Sequence, residues 1–168
     1  CIDGGFFPTC GYGNEFDQDK DSFAVYSDLQ YKITDRLTAR AGLRYTKDSG
    51  DLNNFRAILT DLNGNPLFNI IPGSDDLGAT TSRDFDDDDI SGKIGLDYEL
   101  AADMMVYASY SRGYRGASFN AQAIFSPAEL TIADPETLDA VEVGFKSELA
   151  GASLRLNGAA FWYGYKDQ

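Results

Sequence analysis

Histidine is absent from these 168 residues, and cysteine, methionine and tryptophan are scarce at two, two and one. Without histidine, the commonest general base and the commonest metal ligand are both missing. No nucleophile–base constellation stands in for it, so no enzyme and no cofactor are expected. No run of about eighteen apolar residues occurs, which excludes a membrane-spanning helix but not a membrane-spanning strand. Bases are also few: 14 Lys and Arg against 27 Asp and Glu give a formal charge of −13. Nucleic acid is therefore not an expected partner, because phosphate binding needs a basic surface.

The two cysteines, Cys1 and Cys10, sit nine positions apart with Gly4, Gly5 and Pro8 between them. A loop disulfide formed in an oxidising compartment is the expected reading, with two free thiols as the alternative. A metal site is not expected, because two thiolates without histidine do not complete a tetrahedral shell.

What the chain does contain is alternation. Phe23, Val25, Leu29, Tyr31 and Ile33 share one strand face, and Asp28, Gln30 and Lys32 share the other. After a turn at Thr34 and Asp35, Leu37, Ala39, Ala41, Leu43 and Tyr45 alternate with Arg36, Thr38, Arg40, Gly42 and Arg44. Period two is the signature of a strand whose faces meet different surroundings. The unit occurs again with Ile90, Ile94, Leu96, Tyr98 and Leu100, a turn at 101–103, then Met104, Val106, Ala108 and Tyr110. It occurs a third time with Val141, Val143, Phe145 and Leu149, a turn at 150–152, then Leu154, Leu156, Ala160 and Trp162. If that last turn keeps both apolar faces aligned, Leu149 pairs with Leu154 and Glu148 stands opposite Arg155.

The expected fold is all-β: an antiparallel up-and-down transmembrane β-barrel segment of about six strands, in three hairpins, near 22–33, 36–47, 90–100, 104–115, 138–149 and 153–166. Turns within hairpins are tight, whereas the connections between them, 48–89 and 116–137, are expected as long extracellular loops. Residues 1–21 are expected as a further extracellular loop holding the cysteine pair. A strand extension or hairpin near 55–62 is expected inside the first long loop. The acidity belongs to these segments: 1–21, 51–89 and 116–137 carry net charges of −4, −7 and −3. Short turns on one rim and long loops on the other are the layout of an outer-membrane barrel.

Aromatic placement agrees. Tyr31 and Tyr98 lie near the tight turns, while Phe23, Tyr45, Tyr110 and Trp162 lie toward the long loops, as two girdles would. The opposite face carries Asp28, Lys32, Arg40, Arg44, Lys93, Asp97, Glu99, Glu142, Lys146, Glu148 and Arg155. So many charges of both signs fit a wet or plugged lumen and not a soluble core, where their desolvation is costly.

Ala41-Gly42-Leu43-Arg44-Tyr45-Thr46 and Val106-Tyr107-Ala108-Ser109-Tyr110-Ser111-Arg112-Gly113-Tyr114-Arg115 resemble strand signatures of TonB-dependent outer-membrane receptors. So do Asp134-Pro135-Glu136-Thr137, Val141-Glu142-Val143-Gly144-Phe145-Lys146-Ser147 and Phe161-Trp162-Tyr163-Gly164-Tyr165-Lys166-Asp167-Gln168, in that order. The resemblance implies a barrel of twenty-two strands around an N-terminal plug, in the outer membrane of a Gram-negative bacterium. It implies energy-coupled uptake of a bulky nutrient such as a ferric siderophore, with the TonB complex and outer-membrane lipid as partners. The chain starts at Cys1 and ends on an unfinished strand, without a plug or TonB box. It is expected to be a sector of such a barrel, unable to transport or fold stably alone.

A passive porin is the alternative of a different transport class, and a soluble calcium-binding β protein is a third. Substrate contacts, if they lie here, are expected from Tyr12, Phe55, Arg56, Arg83, Tyr114, Arg115 and Phe119, because aromatic and Arg side chains supply most anchoring energy. Asp84, Asp86, Asp87, Asp88 and Asp89 offer hard oxygen ligands for Ca²⁺ but lack the spaced glycine of a calcium loop. A solvated loop end is the plainer reading of that run.

Overall fold

The computed structural model describes residues 9–61, 63–69, 81–123, 126–149 and 153–166. The expected Cys1–Cys10 pairing lies outside them. The chain runs β1 (Thr9–Lys32), β2 (Leu37–Asp61), β3 (Pro66–Asn69), β4 (Thr81–Ala101), β5 (Met104–Arg115), β6 (Ser118–Asn120), β7 (Thr131–Ala133), β8 (Glu136–Leu149) and β9 (Leu154–Lys166). One 3₁₀ turn, Pro127–Glu129, is the only helix among the described residues, and no helix is long and apolar enough to cross a membrane. The main sheet is ordered β1-β2-β4-β5-β8-β9, with β3 added to β2, and β6 pairs with β7 separately. Its two edge strands, β1 and β9, do not pair with each other, so the sheet is open.

The expected loops are shorter than the alternation suggested. β1 is already extended from Thr9, β2 continues to Asp61, and β4 begins at Thr81. The segments 9–21, 48–61 and 81–89 are therefore strand rather than loop. Their acids and asparagines are poor strand formers by propensity, but ladder pairing and burial of one face override it. The connection expected over 116–137 holds β6, the 3₁₀ turn, β7 and the start of β8.

The chain forms two compact units, and β1, β2 and β4 contribute residues to both. The unit of 22–47, 88–116 and 135–168 is a sheet whose β4, β5, β8 and β9 pair in continuous register apart from a shift between Glu99 and Ala101. Ile94 faces Tyr110, Tyr110 faces Val141, and Val141 faces Trp162; Leu96, Ala108, Val143 and Ala160 form a second such row. Leu149 pairs with Leu154 and Glu148 with Arg155. The turn after β1 is closed by Thr34, whose hydroxyl accepts from the backbone N–H of Arg36 at 3.2 Å and of Leu37 at 3.0 Å.

Among its described residues this unit buries no apolar side chain, and its apolar side chains stand exposed in rows: Ile94 is 59%, Leu29 68% and Trp162 62% accessible. An apolar sheet face of this extent is incompatible with water on that side.

The unit of 1–21, 48–87 and 117–134 is built the opposite way, around a core of its own. Leu52, Phe55, Ala57, Ala123 and Leu130 are buried, with Phe119 and Ala121 packed against them. Along β2 the covered positions are Thr46, Asp48, Gly50 and Leu52, then Phe55, Ala57 and Ile58. The change of phase falls at Asn54, the one described non-glycine residue with positive φ, 55°. Such a residue inserts an extra position in a strand, and asparagine tolerates that backbone best after glycine.

The β2–β3 hairpin turns through 63–65, where Gly64 has φ 81°. The Asp61 carboxylate accepts from the backbone N–H of Asn63 and Asn65, both at 2.8 Å, and from the Asn65 side chain at 2.9 Å.

Candidate functional site

Opposite the apolar rows, the other face of the sheet presents paired charges. Asp97, Tyr107, Gly144 and Ala159 form one of its rows. Arg40 donates to Asp97 at 2.5 Å, Lys93 lies 2.7 Å from Asp28, and Arg155 lies 2.9 Å from Glu148. The Tyr107 hydroxyl donates to Glu142 at 2.6 Å, and the Lys146 ammonium sits 5.6 Å from the Tyr107 ring centre. Together Arg40, Lys93, Asp97, Tyr107, Glu142 and Lys146 line a cavity of about 400 Å³. Strand alternation identifies the charges of this face, but not Tyr107 as the group that orders Glu142. The backbone makes room for its ring at Gly144, where a Cβ would lie 2.7 Å from Tyr107.

The sequence-selected substrate contacts are mostly engaged in holding their own unit together. Phe55 is fully buried in the core, 6.1 Å from Phe16 between ring centres. Phe119 packs on Phe85 at 5.1 Å and against the same core. Arg83 donates to the carbonyls of Leu130 at 3.2 Å, Pro127 at 2.8 Å and Ser82 at 2.9 Å. Arg56 is clamped on the Glu15 carboxylate. The Tyr12 hydroxyl donates to the carbonyl of Ala123 at 2.9 Å.

Two residues no sequence pattern singled out join this latch: Asn14 donates to Ala121 and Lys20 to Ala117. Tyr114 and Arg115 belong to the other unit. Tyr114 is half-buried, while Arg115 has an exposed side chain loosely paired with Glu136 at 3.5 Å. Phe55 is enclosed in the core, whereas the Arg115 side chain is 74% exposed beside Glu136.

The acidic run is strand, not loop end. Thr81–Ile90 alternates strictly in accessibility, so Asp84, Asp86 and Asp88 share the exposed face while Asp87 and Asp89 point to the other with Phe85. A strand thus divides the five carboxylates, and no group of three His, Cys, Asp or Glu side chains among the described residues could hold a metal.

The six aromatics expected as girdles, Phe23, Tyr31, Tyr45, Tyr98, Tyr110 and Trp162, are all exposed. Tyr110 and Trp162 fall in one cross-strand row, and Tyr98 in the row of Val106 and Phe145, four residues nearer the tight turn.

An open antiparallel sheet with one lipid-like and one ion-paired face is the wall of a transmembrane barrel. Residues 3–168 match the family described as TonB dependent receptor-like, beta-barrel. The chain belongs to the TonB-dependent receptor family.

It is 28% identical over 100 residues to the pesticin receptors of Yersinia enterocolitica and Yersinia pestis, covering 60% of this chain and 12% of each relative. In fold it is similar to the ferric yersiniabactin uptake receptor of Yersinia pestis, with a TM-score of 0.73 at 22% identity over 94% of this chain and 22% of that one. It is also similar to the siderophore receptor PiuA of Acinetobacter baumannii, with a TM-score of 0.60 at 20% identity over 87% of this chain and 19% of that one. The ferric-catecholate import receptor Fiu of E. coli matches with a TM-score of 0.60 at 20% identity, over 87% of this chain and 21% of that one. The chain therefore spans about an eighth of the curated relatives it matches and about a fifth of the solved barrels.

Membership of this family places the chain in the outer membrane of a Gram-negative bacterium. The sheet carries its apolar rows on one face and its paired charges on the other, the two-faced pattern of a barrel wall. The family is one of transport receptors, not of enzymes.

Proposed function

We propose that this chain is a sector of a receptor for energy-coupled uptake of a bulky nutrient, a ferric siderophore being the substrate class. The observation that carries the reading is the two-faced open sheet, matched over nearly its whole length to the wall of a solved ferric-siderophore uptake receptor. The names of the relatives support the same class: two of the matched barrels are titled for iron-chelate uptake and a third as a siderophore receptor. The TonB complex of the inner membrane is the partner that supplies energy, through a part of the parent protein other than this wall. On this reading the ion-paired lumen face contacts what fills the barrel, and the latched unit of 1–21, 48–87 and 117–134 forms part of the extracellular mouth.

The test uses the full-length parent gene. Deleting it should abolish uptake of one radiolabelled ferric chelate under iron limitation, and loss of TonB should do the same. Uptake that persists without TonB would favour a passive channel instead, and open-pore conductance of the purified protein in a planar bilayer would establish one.

A further inference from the structure

Asparagine precedes glycine twice in this chain, at Asn63-Gly64 and at Asn157-Gly158. Such a step carries its own nucleophile and electrophile. The glycine backbone nitrogen can add to the side-chain amide carbon of the asparagine, and the missing Cβ leaves that approach open. Both asparagines are exposed, so access to water does not separate them. Their backbones do.

Asn157 lies in β9 opposite Lys146, and Gly158 lies opposite Phe145. The Phe145 ring covers that glycine so closely that a Cβ there would lie 2.6 Å from it. Ring closure has to swing the Gly158 nitrogen onto the Asn157 side chain. A paired, extended strand does not permit this without breaking its ladder.

Asn63 stands instead in a turn. The Gly64 N–H donates to the Asp61 carbonyl at 3.1 Å, one long contact across four residues. The Asp61 carboxylate accepts from the N–H groups of Asn63 and Asn65, both at 2.8 Å, so a single residue holds the turn shut. A turn of this kind favours Asp at its first position and Gly at its fourth, here with φ 81°. The next asparagine, Asn65, precedes Pro66, whose nitrogen carries no proton and cannot react in this way.

We propose that Asn63-Gly64 is a spontaneous deamidation site, gated by Asp61, whose conversion irreversibly loosens the β2–β3 hairpin. When the turn opens, the Gly64 nitrogen bonds to the Asn63 side-chain carbon, and the bond from that carbon to the amide nitrogen breaks. The Gly64 proton leaves with the amide as ammonia, and a cyclic imide remains. Water then opens the imide at either carbonyl, to aspartate or to isoaspartate, with no change of oxidation state. Either product sets a new carboxylate beside that of Asp61. Isoaspartate also adds one carbon to the main chain, which the pairing of Ile58 with Asn69 and of Leu59 with Phe68 does not absorb unchanged.

The experiment ages the full-length receptor, purified in mild detergent, at mildly alkaline pH and growth temperature. Peptide mass spectrometry reads the exchange of amide for carboxylate at each asparagine, and isoaspartyl methyltransferase labelling counts the isoaspartate. Asn63 should convert about tenfold or more faster than Asn157, and Asp61→Ala should speed Asn63 by about a further tenfold, because hydrogen bonds to an ionised acceptor are lost. Asp61→Asn, which keeps the acceptor without its charge, should give an intermediate rate. Asn63→Gln, which would need a larger ring, should abolish the signal at that peptide. After denaturation in urea the two Asn-Gly steps should convert alike. Amide exchange at 67–69 should be faster in the converted fraction than in fresh protein. Heat-modifiable gel mobility verifies that each variant is folded. Equal conversion of Asn63 and Asn157 in the folded barrel, or none at Asn63 in any protein, would overturn the site. A preference that persists in urea would trace it to neighbouring residues and overturn the role of the turn. An unchanged rate in Asp61→Ala would overturn the gate, and unchanged exchange at 67–69 would overturn the loosening.

Discussion

Glu148 and Arg155 face each other directly across β8 and β9, the guanidinium Nε 2.9 Å from the carboxylate. Their side chains are 42% and 72% exposed, so the pair sits in a high-dielectric setting. A double-mutant cycle with Glu148→Gln and Arg155→Gln in the full-length barrel should give a coupling of about 0.2–1 kcal/mol. Urea unfolding in detergent measures it, and the coupling should shrink at high salt. A salt-independent value above that range would mean the pair is shielded from water.

Gly144 and Gly113 lie on neighbouring paired strands but differ in the space around them. A Cβ on Gly144 would lie 2.7 Å from both the Gly158 carbonyl and the Tyr107 ring, whereas one on Gly113 meets nothing nearer than 4.0 Å. Gly144→Ala should destabilise by about 1–3 kcal/mol and shift the environment of Tyr107, which near-UV absorbance reads. Gly113→Ala should change stability by less than about 0.5 kcal/mol.

Phe55 is a core residue, so Phe55→Ala should lower the stability of its unit by about 3–5 kcal/mol. Limited proteolysis in 48–61 and 117–133 should rise together, since both segments share that core. A loss of ligand affinity with unchanged protection would return Phe55 to the role of a ligand anchor.

The Asp61 carboxyl is held below the usual carboxylate range by the Asn65 side chain, then by the Asn65 backbone, with smaller help from Asn63. Its contribution to the β2–β3 turn is complete above the ordinary value of 3.8 and is lost as pH falls through the lower folded value. Amide exchange at 63–69 should accelerate on acidification below that range in wild type. In Asp61→Ala it should already be fast at neutral pH, with no acid step of this origin.

The paired faces of β4, β5, β8 and β9 were legible because their outward residues recur at every second position, although Met105 and Tyr107 make β5 alternate less cleanly. Val106, Ala108 and Tyr110 read outward from sequence and stand in register with Val143 and Val141. The extensions of β1, β2 and β4 were not legible. Their alternation is of aspartate against mixed residues, as in Asp84-Phe85-Asp86, and composition there speaks for turns more strongly than period speaks for strand. The ligand candidates carry a related ambiguity. Arginine and aromatic side chains anchor ligands, but Arg83 and Phe119 show that the same donors and rings hold a loop against a strand, and sequence does not separate the two uses.

Asn54 makes β2 a strand of two parities. Up to Leu52 the covered side chains fall on even positions, and beyond Asn54 the phase resumes at Phe55 and Ala57, so deleting either Asn53 or Asn54 would send Phe55 and Ala57 outward. Any related wall sharing this core must keep the extra residue or lose it together with the apolar pattern that follows. Length in this strand is therefore a constraint as strict as composition, and an insertion tolerated in the turn at 63–65 would shift the phase of Phe55 and Ala57 if placed at Asn54.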